Sequence, residues 1–258
     1  MDLLNYLVFC TGRVSTMASA TADMIAQLRR EILMRQGLQK APGSMRMNMG
    51  LGSLNQAFPD GSLPLTAVHE FIFSSQEDKT ATCGFVSGIL SSLMQRGGIV
   101  LWVGAATKIF PPALASFGIN PDKLIFINLP REKELLWVME DALKCNSLAA
   151  VVGDIRELNF TASRRLQLAV EQSRVTGFVI RQTQNPGTTA CVSRWKISSV
   201  ASDLPGNMPG VGFPRWNVEL LKIRNGKPGA WQFEWRNNSF RELIAQQNPH
   251  QLIQKKAG

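Results

Sequence analysis

The sequence predicts an α/β fold, a mostly parallel sheet flanked by helices, with a helical arm ahead of it and a β-hairpin behind it. Three observations carry this expectation. Short continuous apolar runs, such as 99–103 (IVLWV) and 148–152 (LAAVV), alternate with longer segments of helical period. Runs of that kind are the mark of strands buried on both faces, and helices between them supply the crossovers that parallel strands need. After Asn185-Pro186-Gly187 the alternation stops, and strand-like segments follow one another around a tight turn. The organisation is an arm helix and linker over 1–49, a core over 50–236 and a polar tail over 237–258.

In chain order, 21–39 reads as a helix: Ile25, Leu28 and Ile32 recur on one side, Arg29, Arg30 and Arg35 fall mostly elsewhere, and Gly37 marks the end. Residues 40–49 have no period and are rich in Met, Pro and Gly, which makes them a linker. Gly50 and Gly52 suit a tight bend, 54–58 a short helical turn, and Pro59-Asp60-Gly61 a second turn. The first core strand is 66–73. A helix over 80–95 places Val86, Ile89, Leu90 and Leu93 on one face and stops at Gly97-Gly98. A strand at 99–103 follows, then a short helix opened by Pro111-Pro112 and ended by Gly118. Strands at 124–127, 148–152 and 177–181 enclose helices at 131–145 and 161–173; the first of these helices turns Leu135, Val138, Met139 and Ala142 inward. Residues 190–200 form a strand, and 201–214, with six Gly or Pro residues, a loop. Strands at 216–224 and 230–236 make a hairpin around NGKPG, with Trp231, Phe233 and Trp235 alternating on one face. The tail is polar, with a helix around 242–246.

Composition narrows the function. At 258 residues and 45% hydrophobic, the chain can bury one large core. No apolar run reaches the ~18 residues of a membrane span, and the first residues lack the basic start of a signal peptide, so a cytoplasmic protein without a membrane is expected. Four cysteines without C-x-x-C spacing and two histidines offer no metal site and read as buried thiols. Net charge is +9, and residues 194–258 hold ten Lys/Arg against four Asp/Glu, which places six of the nine surplus charges there. Such a surplus points to an anionic partner, nucleic acid first.

The chemistry-bearing stretch is 66–85, TAVHEFIFSSQEDKTATCGF. It has the layout of a phosphate-binding loop: apolar strand, polar turn, Lys-Thr, helix. A working loop reads G-x-x-x-x-G-K-[ST], and its glycines let backbone N–H groups wrap the phosphates. Counting back from Lys79-Thr80, those two positions hold Phe73 and Asp78. Glu77 and Asp78 set carboxylates where a nucleotide carries its own negative charge.

Gly52-Ser53-Leu54, Gly61-Ser62-Leu63-Pro64, a strand with Glu70, and Lys79-Thr80 follow the order of the RecA core. The phrases VHEF, LWVG, FPPALASFGINPDKLIFI, LAAVVGDI, LNFTASRRLQLAVEQSRVTGFVIRQT and KIRNGKPGAWQFEW resemble, more narrowly, the ImuA family of RecA-like proteins of translesion DNA synthesis, over roughly residues 50–236. SulA-type cell-division inhibitors resemble the same reduced core. The resemblance implies an accessory protein of a damage-induced, error-prone complex. Its partners would be an ImuB-like Y-family polymerase homologue, an error-prone replicative-type DNA polymerase and RecA.

A RecA-type ATPase also needs a Mg²⁺-linked acid after its Walker B strand and a carboxylate to activate water. Asp154 is the one candidate for the first, set one residue late because Gly153 takes the aligned place; Gly104-Ala105-Ala106 stand where the second belongs. Lys79, Thr80 and Asp154 are therefore expected to be remnants, with no cofactor, no metal and no catalysis. His69, inside a strand, reads as a satisfied core histidine, and Glu70 as a solvated strand-end residue.

Surfaces are left to carry the function. Ile25, Leu28 and Ile32 form a stripe suited to packing on another protein or a second copy. Arg164 and Arg165, with Arg174, lie on or near the helix 161–173, as a partner contact or a solvated face. Arg215, Lys222, Arg224, Lys227 and Arg236 interleave with aromatics, as single-stranded DNA binding requires, although Trp231, Phe233 and Trp235 read first as core. The expectation is a non-catalytic RecA-like adaptor acting through protein contacts and single-stranded DNA. A divergent DNA-dependent ATPase and a SulA-like division inhibitor are its rivals.

Overall fold

The computed structural model describes residues 49–95, 97–105, 109–203 and 212–243, together with Met24, Ile25, Gln27 and Leu28. The chain divides into two units, Met1–Met45 and Arg46–Gly258. In the first unit the four described residues are helical, and Ile25 and Leu28 are exposed; Ile32 lies outside the described residues.

Among its described residues the second unit is built on a nine-stranded sheet. Its strands are β1 (Val68–Phe73), β2 (Ile99–Gly104), β3 (Leu124–Asn128), β4 (Leu148–Asp154), β5 (Thr176–Gln182), β6 (Ser193–Val200), β7 (Arg215–Ile223), β8 (Gly229–Arg236) and β9 (Ser239–Leu243). The order β3-β2-β4-β5-β1-β6 is parallel throughout, and β7, β8 and β9 extend it antiparallel from β6. The helices are α1 (Gln76–Met94), the one-turn α2 (Pro111–Leu114), α3 (Glu132–Leu143) and α4 (Phe160–Ser173). The mostly parallel α/β architecture expected from the apolar runs is the one observed.

Each sheet face has its own core. On one, Leu135 and Met139 of α3 and Leu166 and Val170 of α4 pack on Val68, Val151 and Val179. On the other, α1 lies across the join between the parallel and antiparallel halves. Phe85, fully buried, meets Trp195 of β6, Trp216 of β7, Phe233 of β8 and Phe240 of β9, with centroids 4.9–6.4 Å away. The approach is close because α1 carries glycine one turn on: a Cβ at Gly88 would stand 2.5 Å from the Phe240 ring and 2.8 Å from that of Trp235. The alternating aromatics of the hairpin are thus core, as their period suggested, with Trp235 and Phe233 buried and Trp231 partly so.

Three local expectations are corrected. The helix after β1 starts at Gln76, four residues before the expected 80. Ser75 caps it, its Oγ accepting from the Asp78 N–H at 3.1 Å, and Glu77 and Asp78 sit in the first turn, where the helix dipole favours acids. Glu242 lies in a strand, not a helix: β9 pairs with β8, and Phe240 is buried because it completes the aromatic cluster around Phe85. Glu70 is fully buried in the middle of β1, not solvated at its end.

Candidate functional site

The carboxyl ends of β2, β4, β5 and β1 lie side by side in that order, and α1 begins just past β1, where α/β sheets place their ligands. β1 ends at Phe73 and α1 begins at Gln76, so Ser74 and Ser75 alone connect them. A phosphate loop needs a longer, glycine-bearing connection held out of the helix. Without glycine at 73 and 78, and with a good cap at 75, these residues wind into the helix instead.

The side chains of Lys79, Thr80 and Asp154 are bonded within the protein. Lys79 Nζ donates to Asp154 Oδ2 at 2.7 Å, with the two side chains 26% and 19% exposed, and lies 5.7 Å from the Phe73 ring centroid. The Thr80 hydroxyl donates back to the Gln76 carbonyl at 3.1 Å. Glu77 accepts from Ser199 Oγ of β6 at 2.6 Å. Asp154 pairs across the sheet with Gly104 of β2, the expected seat of a catalytic carboxylate. Gly153 fits its place because a Cβ there would lie 2.5 Å from Met139 Sδ. Cys83, on α1, has its thiol pushed up to about 12 by burial, which keeps it protonated. Among the described residues no cluster of three or more His, Cys, Asp or Glu could hold a metal.

His69 is a satisfied core residue. Pro64 offers only a carbonyl, 2.7 Å from Nε2, so Nε2 carries the proton. Ser193 Oγ, 2.6 Å from Nδ1, accepts from Trp195 Nε1 and is left to donate to the histidine. Burial depresses the imidazole to about 4, with the Pro64 hydrogen bond opposing.

The surface residues separate into groups. Arg165 and Arg164 are exposed on α4, ion-paired with Glu140 of α3 at 2.5 Å and, loosely, with Glu171 at 4.0 Å; Arg174 caps α4 in the left-handed region. The hairpin cations do not form one cluster. Arg215 and Arg236 lie at its open end. Arg215 is held by Asp203 and Glu234, which raise its already high pKa, and Arg236 stacks 4.8 Å from the Phe213 ring. At the turn end, Lys222 Nζ donates to the Thr189 carbonyl at 3.3 Å and Arg224 Nη2 to that of Ala190 at 3.2 Å. Lys227 is exposed there, its backbone N–H donating to Ala57.

Sequence reasoning missed the polar centre under α4. Glu70 Oε1 accepts from Arg181 Nε at 2.6 Å; Oε2 accepts from Arg194 Nε at 2.8 Å and Thr189 Oγ1 at 2.9 Å. Arg194 also donates to the Pro186 and Gly187 carbonyls, so the loop after β5 is pinned to β1. The available signal was an acid and arginines, Glu70, Arg181 and Arg194, inside three apolar strand phrases, VHEFIF, FVIRQ and VSRWKI.

This sheet order, with helices on both faces, is that of a mostly parallel α/β protein of RecA-like fold. The crystal structure of the RadB recombinase matches it with a TM-score of 0.53, over 77% of this chain and all of that one, at 15% identity, a likeness of fold alone. No family model matches the chain. Two curated relatives, both named Protein ImuA and from Caulobacter vibrioides strains NA1000 / CB15N and ATCC 19089 / CIP 103742 / CB 15, are each 34% identical over 230 residues, covering 82% of this chain and 94% of theirs. The chain belongs to the ImuA family.

Proposed function

We propose that this chain is a non-catalytic RecA-like accessory protein of an error-prone translesion DNA synthesis complex, induced by DNA damage and working in the cytoplasm at the nucleoid. On this reading it joins an ImuB-like Y-family polymerase homologue, an error-prone replicative-type polymerase and RecA, and touches single-stranded DNA through exposed cations of the hairpin such as Lys227. Family membership and the RecA-like fold support the accessory role. The observation that carries the non-catalytic part is the Lys79–Asp154 pair at 2.7 Å beneath a helix that starts at Gln76. An incoming triphosphate would have to break that pair, unwind the first turn and face Glu77 and Asp78. ATP catalysis rests on positioned cations and N–H donors around the transferring phosphoryl group, and here they are otherwise engaged.

The test is calorimetric titration with MgATP, with and without single-stranded DNA, alongside phosphate release. No binding and no turnover are expected, and Lys79→Ala should leave damage-induced mutagenesis near the parental level. DNA-stimulated ATP turnover that Lys79→Ala abolishes would overturn the reading. Filamentation of undamaged cells on overexpression would favour a division inhibitor.

A further inference from the structure

A cavity of about 880 Å³ opens beside the Lys79–Asp154 pair, between α1, the segment 109–117 and the start of β7. Its volume is that of a small-molecule site. The walls are aromatic: Trp102, Phe117 and Trp216 line it, and so do Phe110, 69% exposed with its ring open to solvent, and Phe213, 39% exposed with Arg236 stacked on its ring. Lone exposed apolar residues are ordinary, but two aromatic rings rimming an apolar cavity mark a surface shaped for a ligand.

Charge defines what fits. Both described cations of the lining are already neutralised, Lys79 by Asp154 at 2.7 Å and Arg215 by Asp203 and Glu234 at 2.6 and 2.9 Å. Glu77, also in the lining and exposed, is met by a neutral hydroxyl, that of Ser199. An anion entering here would shed its water beside a carboxylate and find no uncommitted cation among these groups, which is costly. A neutral ring system loses nothing of that kind and gains offset or edge contact with the aromatic walls. We propose that this cavity binds an uncharged, planar aromatic molecule. The proposal extends beyond the adaptor reading and does not depend on it.

Two probes with one ring system test it: neutral N-phenyl-1-naphthylamine, and 8-anilinonaphthalene-1-sulfonate, which adds a sulfonate. The full chain is titrated with each by fluorescence. The neutral probe should saturate one site, draw energy from tryptophan emission, and bind at least about tenfold tighter than the sulfonate. Ala113→Trp, at an exposed position of α2 that lines the cavity, should weaken the neutral probe at least about tenfold with an unchanged melting profile. Phe110→Ala, also exposed, gives a second readout and should weaken it several-fold. No saturable binding, equal affinity for both probes, or wild-type affinity in both variants would each overturn the proposal. Displacement of the probe by MgATP counts against the adaptor reading as well, whereas loss of probe binding alone leaves that reading intact.

Discussion

Glu70→Gln is the sharpest perturbation of the fold. The wild-type carboxylate is fully buried and accepts three hydrogen bonds, at 2.6, 2.8 and 2.9 Å. Its two arginines are also removed from water, with side chains 7% and 12% exposed, and among the described residues Arg181 Nη2 finds no partner even in the intact cluster. Glutamine keeps the shape and removes the charge, leaving two guanidinium groups with no counter-ion in a poorly hydrated site. Breaking a buried ion pair from one side costs about 3–5 kcal/mol, against a total of about 5–15 for a domain. For a unit of this size that lowers Tm by roughly 6–20 °C. Urea unfolding followed by circular dichroism should show the midpoint falling with an unchanged m-value. The matched control is Glu70→Leu with Arg181→Met and Arg194→Met. Replacing every charge at similar volume removes the uncompensated burial, so most of the lost stability should return. A Glu70→Gln cost below about 1 kcal/mol, the range of an exposed pair, would refute the reasoning.

Further outcomes follow from the same geometry. His69 sits at about 4 when folded against 6.5 unfolded, so the unfolded chain binds more protons between those values. Its contribution is complete well above pH 6.5 and falls away toward pH 4, by roughly 2–3 kcal/mol near the lower end, and His69→Gln should lack that part of the acid sensitivity in paired denaturation curves. Gly88→Val would drive a side chain into Phe240 and Trp235 and should cost about 1–3 kcal/mol or more by urea unfolding. Lys227→Gln and Arg236→Gln should each flatten the salt dependence of single-stranded DNA binding by about 0.7 in log–log slope with unchanged stability. Arg224→Gln should instead lower stability by about 1 kcal/mol, because it loses its bond to Ala190.

The sheet was legible because parallel strands must be apolar on both faces, and runs such as 99–103 and 148–152 announce that without context. The hairpin was legible for a similar reason: Asn225, at φ 58, takes the left-handed turn that its Asn-Gly pair signals. What failed was non-local. Glu70 looks like a strand-end residue until Arg181 and Arg194 arrive on the two neighbouring strands, 111 and 124 positions away. Phe240 reads as part of a polar tail until the helix that makes room for it, with glycine at 88, is laid beside it. The basic hairpin read as one surface because strand periodicity says which face a residue occupies and nothing about its partners. Lys222 and Arg224 are spent on the carbonyls of a loop that ends just before β6.

On the proposed reading, the junction of β1 and α1 meets internally every demand that a phosphate loop would otherwise leave to its ligand. A phosphate loop kept without its ligand would strand a lysine and an aspartate at the sheet edge and leave backbone N–H groups unbonded. Here each demand is met internally. The lysine and aspartate neutralise each other, Ser75 Oγ satisfies the Asp78 N–H, and Glu77 and Asp78 supply the negative charge that the N-terminus of α1 favours. Restoring glycine at 73 and 78 would therefore not restore a nucleotide site. Asp78→Gly would remove one of those acids and weaken the first turn, Phe73→Gly would remove a buried ring beside Lys79, and Asp154 would still hold the lysine. On the reading proposed here the site is not a nucleotide pocket awaiting two residues but a stable strand-to-helix junction. Its stability comes from the charges that a nucleotide would have to displace.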